Sequence, residues 1–451
     1  MKQVANSSFL TKLSFILSLT IVTSMGQKVF AQEVITLQQA VDKTLTNNLQ
    51  IKQSKLSESL AEETLNQSKL ALYPTLNGSV NSGLSFGQSR DQNTFQVINQ
   101  KFTSFSSSLN AGVDVFQGFQ KINQIKQNKI LLDAGKSNTE KVKNDLILQV
   151  VTSYLQVLYN KDFLKAAQDQ LTVARQQLNQ QQQLLDVGNK TLADLSQSKS
   201  QVATAELNVT NATNALSISY ITLAQLMDIP SSTAYEVQAP VIDSFKDASS
   251  KVNAEEIYKT SAAQFPDLKL AGLNTAAAKK GIDISKGNYY PRLSFGGGLQ
   301  TSYSDPSFPT RSFADQLNDR FGQNIGLSLS IPIFNGFTAR SSVRRARINL
   351  MQTETQEQLA KNNLNKVIYQ AVADLKAAES RYESTGNAFT AQKDAFYVIE
   401  QRYAVGLVNS LDYSTAQTNR NKAEIDYIQA KYDLIFRAKV IDYYLGKQIT
   451  F

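Results

Sequence analysis

The strongest constraint on this chain is that it is written twice. Tyr73-Pro74 reappears as Tyr290-Pro291, an offset of 290 − 73 = 217 residues. Val115-Phe116-Gln117-Gly118-Phe119 reappears as Ile333-Phe334-Asn335-Gly336-Phe337, an offset of 218, and Val187-Gly188 with Asp194 reappears as Val405-Gly406 with Asp412, again 218. The one change of offset places a single extra residue in a loop of the second copy, between the first two landmarks. Landmarks in register define two repeats, residues 36–229 and 254–446, joined by a connector at 230–253 that holds Pro230 and Pro240.

Each copy has the same plan. A helix of about 35 residues leads to a proline, then two strand-like runs, a long helix, a glycine turn and a second helix. None of the eight prolines falls inside a long helix, where the missing N–H would be costly. The strands are expected at about 75–87, 104–116, 291–303 and 323–334, joined pairwise by loops at 88–101 and 304–320 on the outer side. They alternate: Leu76, Val80, Leu84 and Phe86 share one face, and Thr75, Asn77, Ser79 and Asn81 share the other. In the fourth run Ile325, Leu327, Leu329, Ile331 and Ile333 oppose Asn324, Ser328 and Ser330. Period two with one apolar face means half-buried strands. A soluble sheet lying on a core and a membrane barrel with a wet lumen both satisfy that pattern. If lipid is the apolar neighbour, four strands cannot close a barrel, and open sheet edges are not viable in lipid. The membrane reading therefore forces several chains to contribute to one barrel.

The helices are too long for a globule. A helix from Gly118 to Gly188 would run about 100 Å at 1.5 Å per residue. Its apolar stripe repeats every seven residues at Val150, Val157, Leu164, Leu171, Leu178 and Leu185, and 218 residues on at Ile368, Leu375, Tyr382, Phe389, Phe396 and Tyr403. The return helices carry Leu195, Val202, Val209, Leu216 and Leu223, and Tyr413, Tyr427, Leu434 and Ile441, with Arg420 breaking the second series. A strict seven-residue repeat predicts coiled coils. Heptads by themselves favour a soluble antiparallel coiled coil without a lumen; the combination with exported, alternating strands weighs against it.

Composition narrows the function classes. The chain has no Cys and no His, so it has no imidazole base, thiolate nucleophile, disulfide or zinc site of the usual kind. No enzyme activity, cofactor or metal is expected. Residues 1–31 read as a secretory signal: Lys2 and Lys12, an apolar run from Leu13 to Met25, and small residues Val29 and Ala31 before the cut. The signal holds three lysines and no acids, so the net charge of +8 becomes 8 − 3 = +5 after cleavage. The densest basic cluster, Arg340, Arg344, Arg345 and Arg347, is explained by a solvated helix face, and no nucleic-acid partner is expected of an exported chain.

The glycine turns have a structural explanation. Gly188 and Gly406 suit left-handed C-caps. Thr191 and Asn409 can cap the helices that follow, which places Asp194 and Asp412 in positive first turns.

Taken in order, these motifs resemble the TolC-type outer-membrane efflux family. The likeness is carried by Phe265-Pro266-Asp267-Leu268, with Asn48-Leu49-Gln50-Ile51 as its proline-less counterpart. It continues in the two Tyr-Pro steps, the Phe-x-Gly-Phe exits at 116–119 and 334–337, and the hairpin turn Val405-Gly406-Leu407 with Asp412. The first hairpin departs at Asn189. The resemblance implies a mainly α fold with a membrane β-barrel: a long antiparallel coiled-coil helical barrel plus four strands per protomer, giving twelve strands in a homotrimer. It implies an outer-membrane location in a Gram-negative bacterium, reaching into the periplasm, with outer-membrane lipid around the barrel. The partners implied are a periplasmic adaptor and an inner-membrane RND or ABC transporter. Two functions go with that fold, the exit channel of a tripartite efflux pump and the duct of a type I secretion system. By the same likeness Val187, Gly188, Val405, Gly406 and Leu407 are adaptor-docking tips. Asp194, Asp412 and Tyr403 belong to the periplasmic mouth. A second aspartate expected one turn after Asp412 is Thr415, and the basic partner expected two residues after Gly406 is Val408.

Overall fold

The computed structural model describes residues 33–90, 97–232, 235–240, 252–305 and 311–447. The signal segment 1–31, part of the connector and the tips of the two outer loops lie outside the described residues.

The elements run β1 (Glu33–Ile35), α1 (Leu37–Asn47), α2 (Leu49–Leu70), β2 (Thr75–Arg90), β3 (Val97–Gln117), α3 (Gln120–Asp186), α4 (Leu192–Met227) and β4 (Tyr235–Val237). They continue with α5 (Ala254–Gln264), α6 (Pro266–Lys286), β5 (Arg292–Asp305), α7 (Phe313–Asp319), β6 (Gly322–Ser330), α8 (Thr338–Ala404) and α9 (Ser410–Tyr444). α3 and α8 are each 67 residues long, about 100 Å of continuous helix.

Three expectations need correction. The helix expected before Pro74 is broken at Asn48, whose ψ of 130° is extended. The Asn48 side chain caps α2 by accepting from the Gln50 N–H at 2.8 Å and donates to the Leu226 carbonyl at 2.9 Å, so the kink is bonded across to α4. Pro266 breaks the second copy at the matching place, as the first residue of α6. The fourth strand ends at Ser330 rather than near 334, because Pro332 has no N–H to continue a ladder. The stretch 304–320, expected as a loop, contains α7.

β2, β3, β5 and β6 form one antiparallel sheet in that order, leaving β2 and β6 as its edges. Register puts Leu76 opposite Ala111, Leu109 opposite Leu299, and Phe295 opposite Leu327, so the apolar residues of all four strands share one face. The other face is small and polar: Ser79 and Ser108 share a hydrogen bond at 2.8 Å. Apart from the end against which α7 packs, the apolar face is bare. Leu76, Val80, Phe86, Ile325, Leu327 and Leu329 are all exposed. No described helix is long and apolar enough to cross a membrane.

Heptad positions form the helical core. Val150, Val157, Leu223, Ile368, Leu375, Leu434 and Ile441 are buried in one cluster. Arg420, which interrupts the stripe, pairs with Glu424 at 3.3 Å, both mostly buried. Burial pushes the Glu424 carboxyl up, against the opposing pull of Arg420.

A small parallel pair, β1 with β4, clasps this core. The hydroxyl of wholly buried Tyr154 of α3 donates to the Ile35 carbonyl at 2.8 Å and accepts from the Gln238 N–H at 2.9 Å. Tyr154→Phe removes that bridge at nearly constant volume. It should cost about 1–3 kcal/mol, read as a lower melting temperature in detergent. An unchanged melting temperature would show that the clasp is held by β pairing alone.

Candidate functional site at the helical hairpin tips

The far ends of the two helix pairs are built alike. α3 ends in Val187 and Gly188, where Gly188 has φ of +80°, and its N–H reaches the Leu185 carbonyl at 2.9 Å. Asn189 N–H closes on the Leu184 carbonyl at 2.8 Å. α8 ends the same way: Gly406 has φ of +77°, Gly406 N–H bonds Tyr403 and Leu407 N–H bonds Arg402. Both are left-handed caps that only glycine enters without strain.

The tips are apolar yet uncovered. Val187 is 68% exposed, Val405 70% and Leu407 76%. Leu192 and Leu411, which the family motif does not include, are equally bare and widen the same patch. Their signal in the sequence is a leucine directly after each turn, off the heptad register set by Leu195 and Tyr413.

Asp194 and Asp412 occupy the same place in the first turns of α4 and α9. Asp194 closes a capping box: its N–H bonds Thr191 Oγ1 at 3.2 Å, and its carboxylate accepts from the Thr191 N–H at 3.2 Å. It also accepts from the Ser410 hydroxyl at 2.7 Å, a bond that crosses from one hairpin to the other. That bond, followed by those from Thr191, holds the Asp194 carboxyl below its ordinary range. Asp412 is exposed, and its N–H is capped by Asn409 Oδ1 at 2.8 Å. One turn further, Gln201 Nε2 donates to Ser414 Oγ at 2.7 Å, a second tie between hairpins.

Tyr403 is buried between the hairpins. Its ring stacks on Tyr413 at 4.6 Å and 29°, and Phe396 lies beyond Tyr413 at 5.4 Å. Lys190 Nζ stands 4.8 Å above the Tyr403 ring, a cation–π contact. Lys190 lies two residues after Gly188, the place that Val408 takes after Gly406. Burial, then the charge of Asp194, raises the Tyr403 hydroxyl, and burial raises Tyr413 to about 12. Both rings therefore stay neutral at physiological pH. Ser410 and Lys190 were invisible to motif reasoning because each acts across 200 or so residues of chain.

The chain is similar to known proteins over most of its length. The family model described as outer membrane efflux protein matches residues 40–228 and again 257–446. Outer membrane protein TolC of Escherichia coli K12 is 25% identical over 417 residues, 91% of this chain and 82% of that protein. Outer membrane efflux protein BepC of Brucella suis is 22% identical over 418 residues, 89% of this chain and 85% of its own. Among solved structures, CusC superposes with a TM-score of 0.75 at 18% identity over 92% of this chain and 93% of that one. The CmeC outer membrane channel of Campylobacter jejuni gives 0.74 at 18% identity over 91% and 85%. The two matched segments take in nearly all of both helix pairs and all four sheet strands, and on that match the chain belongs to the outer membrane efflux protein family.

Proposed function

We propose that this chain is the outer-membrane exit channel of a tripartite efflux pump. The observation that carries the reading is the sheet: four strands with one bare apolar face, one polar face and two open edges, set on helices about 100 Å long. Lipid accommodates the apolar face, water the polar face, and neighbouring copies the edges. Three copies give 3 × 4 = 12 strands, and the two structural repeats supply a helical tunnel beneath them. The bare tips at Val187, Val405 and Leu407 suit the hairpins of a periplasmic adaptor, itself coupled to an inner-membrane transporter. The protein does no chemistry. It supplies a water-filled conduit whose mouth is gated where the hairpins meet, through Asp194, Asp412 and Tyr403, by a shift between two packings of the coiled coils. A type I secretion duct is the second reading. It is supported by a 22% identical relative named toxin and drug export protein A, from Aggregatibacter actinomycetemcomitans.

Planar-bilayer conductance of the detergent-extracted protein, with its mass in detergent, tests the reading. A trimer with long-lived, cation-preferring openings is expected. A water-soluble chain without conductance would leave only a periplasmic coiled coil. Tyr403→Ala, which removes the Tyr413 stack and the Lys190 contact, should raise the open fraction several-fold, since such contacts are worth roughly 1 kcal/mol each. An unchanged open fraction would remove Tyr403 from the gate.

A further inference from the structure

The helix α7 sits on a face of the sheet where a loop guarding an exit would not go. Ser312 caps it by accepting from the Asp315 N–H at 3.2 Å. The Phe313 ring meets Phe105 at 5.5 Å and Tyr303 at 5.0 Å, both edge-on. Thr301 Oγ1 donates to the Leu317 carbonyl at 2.6 Å. Gln316, 3% exposed, accepts from the Ser304 N–H and donates to the Arg311 carbonyl, both at 3.2 Å. Register pairs Phe105 with Tyr303 and Ser107 with Thr301, the rungs that carry Leu109 and Leu299 two residues further on. Phe105, Thr301 and Tyr303 thus lie on the apolar face, and Ser104, Ser106, Ser302 and Ser304 on the polar one. The helix lies against the apolar face, at the end of the strands remote from the tunnel helices.

That end of the apolar face is also basic and aromatic. Lys101 stands opposite Phe86, with Nζ 6.0 Å from its ring centroid. Arg320 follows α7 directly, and Phe313 and Phe321 beside it remain exposed. Arg311 is satisfied by Asp319, whereas Lys101 and Arg320 have no ion pair among the described residues. Aromatic rings next to uncompensated cations are what the headgroup level of a membrane selects on a barrel's outer surface.

We propose that α7, Lys101 and Arg320 form a collar that binds the phosphorylated glycolipid of the outer leaflet. The acyl chains would lie on Phe86 and Phe313, and the phosphates would meet the two cations. The proposal rests on the exit-channel reading for its choice of lipid as the neighbour. Three features select this lipid source: the collar is at the outer end, it is cationic, and it continues the bare apolar band. Phosphate is the shared chemistry of glycolipid and anionic phospholipid, so the test separates them.

The trimer would be purified from outer membranes, and lipopolysaccharide retained per trimer measured by mass spectrometry, beside competition with phosphatidylglycerol in mixed micelles. Wild type should retain lipopolysaccharide in preference to phosphatidylglycerol. Lys101→Glu with Arg320→Glu should lower that retention about tenfold or more, with trimer mass and conductance unchanged. Arg320→Gln, at an exposed position, gives a smaller loss and keeps the test readable if the double variant does not assemble. Equal retention by wild type and variants overturns the proposal, as does equal binding of phosphatidylglycerol. A wild-type chain absent from the outer membrane would overturn the exit-channel reading and this proposal together. A conducting trimer that retains no glycolipid would overturn this proposal alone.

Discussion

Gly336→Ala is expected to block trimer assembly, while Gly118→Ala is expected to damage the chain itself. Both glycines sit in a Phe-x-Gly-Phe exit and both have φ of +58°. A side chain at either carries the left-handed penalty, roughly 1–2 kcal/mol. Their surroundings differ. A Cβ on Gly118 would lie 2.4 Å from the Gly287 carbonyl oxygen and 2.9 Å from Tyr290 Cβ, and backbone at that distance cannot give way. A Cβ on Gly336 would meet nothing within 4 Å. The ring next door tells the same story. Phe119, 54% exposed, packs edge-on against Tyr290 at 6.3 Å, whereas its counterpart Phe337, 65% exposed, has no ring contact with Tyr73, itself 69% exposed. Tyr73 is the sequence counterpart of Tyr290. In the proposed ring of copies, Tyr73 of the next chain would stand where Tyr290 stands for Phe119, and the backbone beside it would face Gly336. Gly118→Ala should therefore reduce yield and melting temperature sharply, by more than 3 kcal/mol for overpacking against backbone combined with the positive φ. Gly336→Ala should leave helical circular dichroism intact and shift the mass in detergent from trimer to monomer. A Gly336→Ala trimer as stable as wild type would show that no neighbouring backbone approaches that site.

Removing the two mouth carboxylates is expected to abolish block by polyvalent cations. In a trimer Asp194→Ala with Asp412→Ala deletes 2 × 3 = 6 charges. Blocking concentrations should rise at least about tenfold, since rings of acidic side chains set cation affinity at a constriction. The single variants should separate. Asp412→Ala removes charge alone, because that carboxylate is exposed. Asp194→Ala also releases Ser410 from its 2.7 Å bond across the hairpins, so it should lengthen openings as well. The pH dependence follows with the sign fixed by the lowered Asp194 value. A carboxyl held below the ordinary 3.8 stabilises the hairpin packing that carries the Ser410 bond at pH above that value, and the contribution is lost as pH falls through the folded value. Wild-type openings should therefore lengthen only below about pH 3.8, and those of Asp194→Ala should show no such change. Retained block in the double variant would remove both aspartates from the mouth.

Much of this architecture is local and was legible without coordinates. Seven-residue spacing from Val150 to Leu185 dictates a helix with one buried seam. Two-residue spacing from Leu76 to Phe86 dictates a strand with one apolar face. Glycine after Leu185 and Tyr403 dictates where the helices turn back. Each signal acts over a few residues, through backbone geometry and the fixed periods of helix and strand. The break at Asn48 was only half legible. The residue is a good cap, yet its side-chain bond to the Leu226 carbonyl, 178 positions away, fixes the kink.

Tertiary structure alone decided which surfaces meet. β1 and β4 are three-residue strands, too short for any period to show, and they exist because the Tyr154 hydroxyl and the helical core hold them in register. The Ser410–Asp194 bond and the Lys190–Tyr403 contact each join residues more than 200 positions apart, and nothing in either local segment encodes the partner. The helix α7 is seven residues long, below the length at which an isolated helix forms. Its stability comes from Phe105, Thr301 and Tyr303 on strands that precede it. Periodicity determined what each segment is; packing between distant segments, which has no sequence period, determined how the hairpin tips and α7 are held.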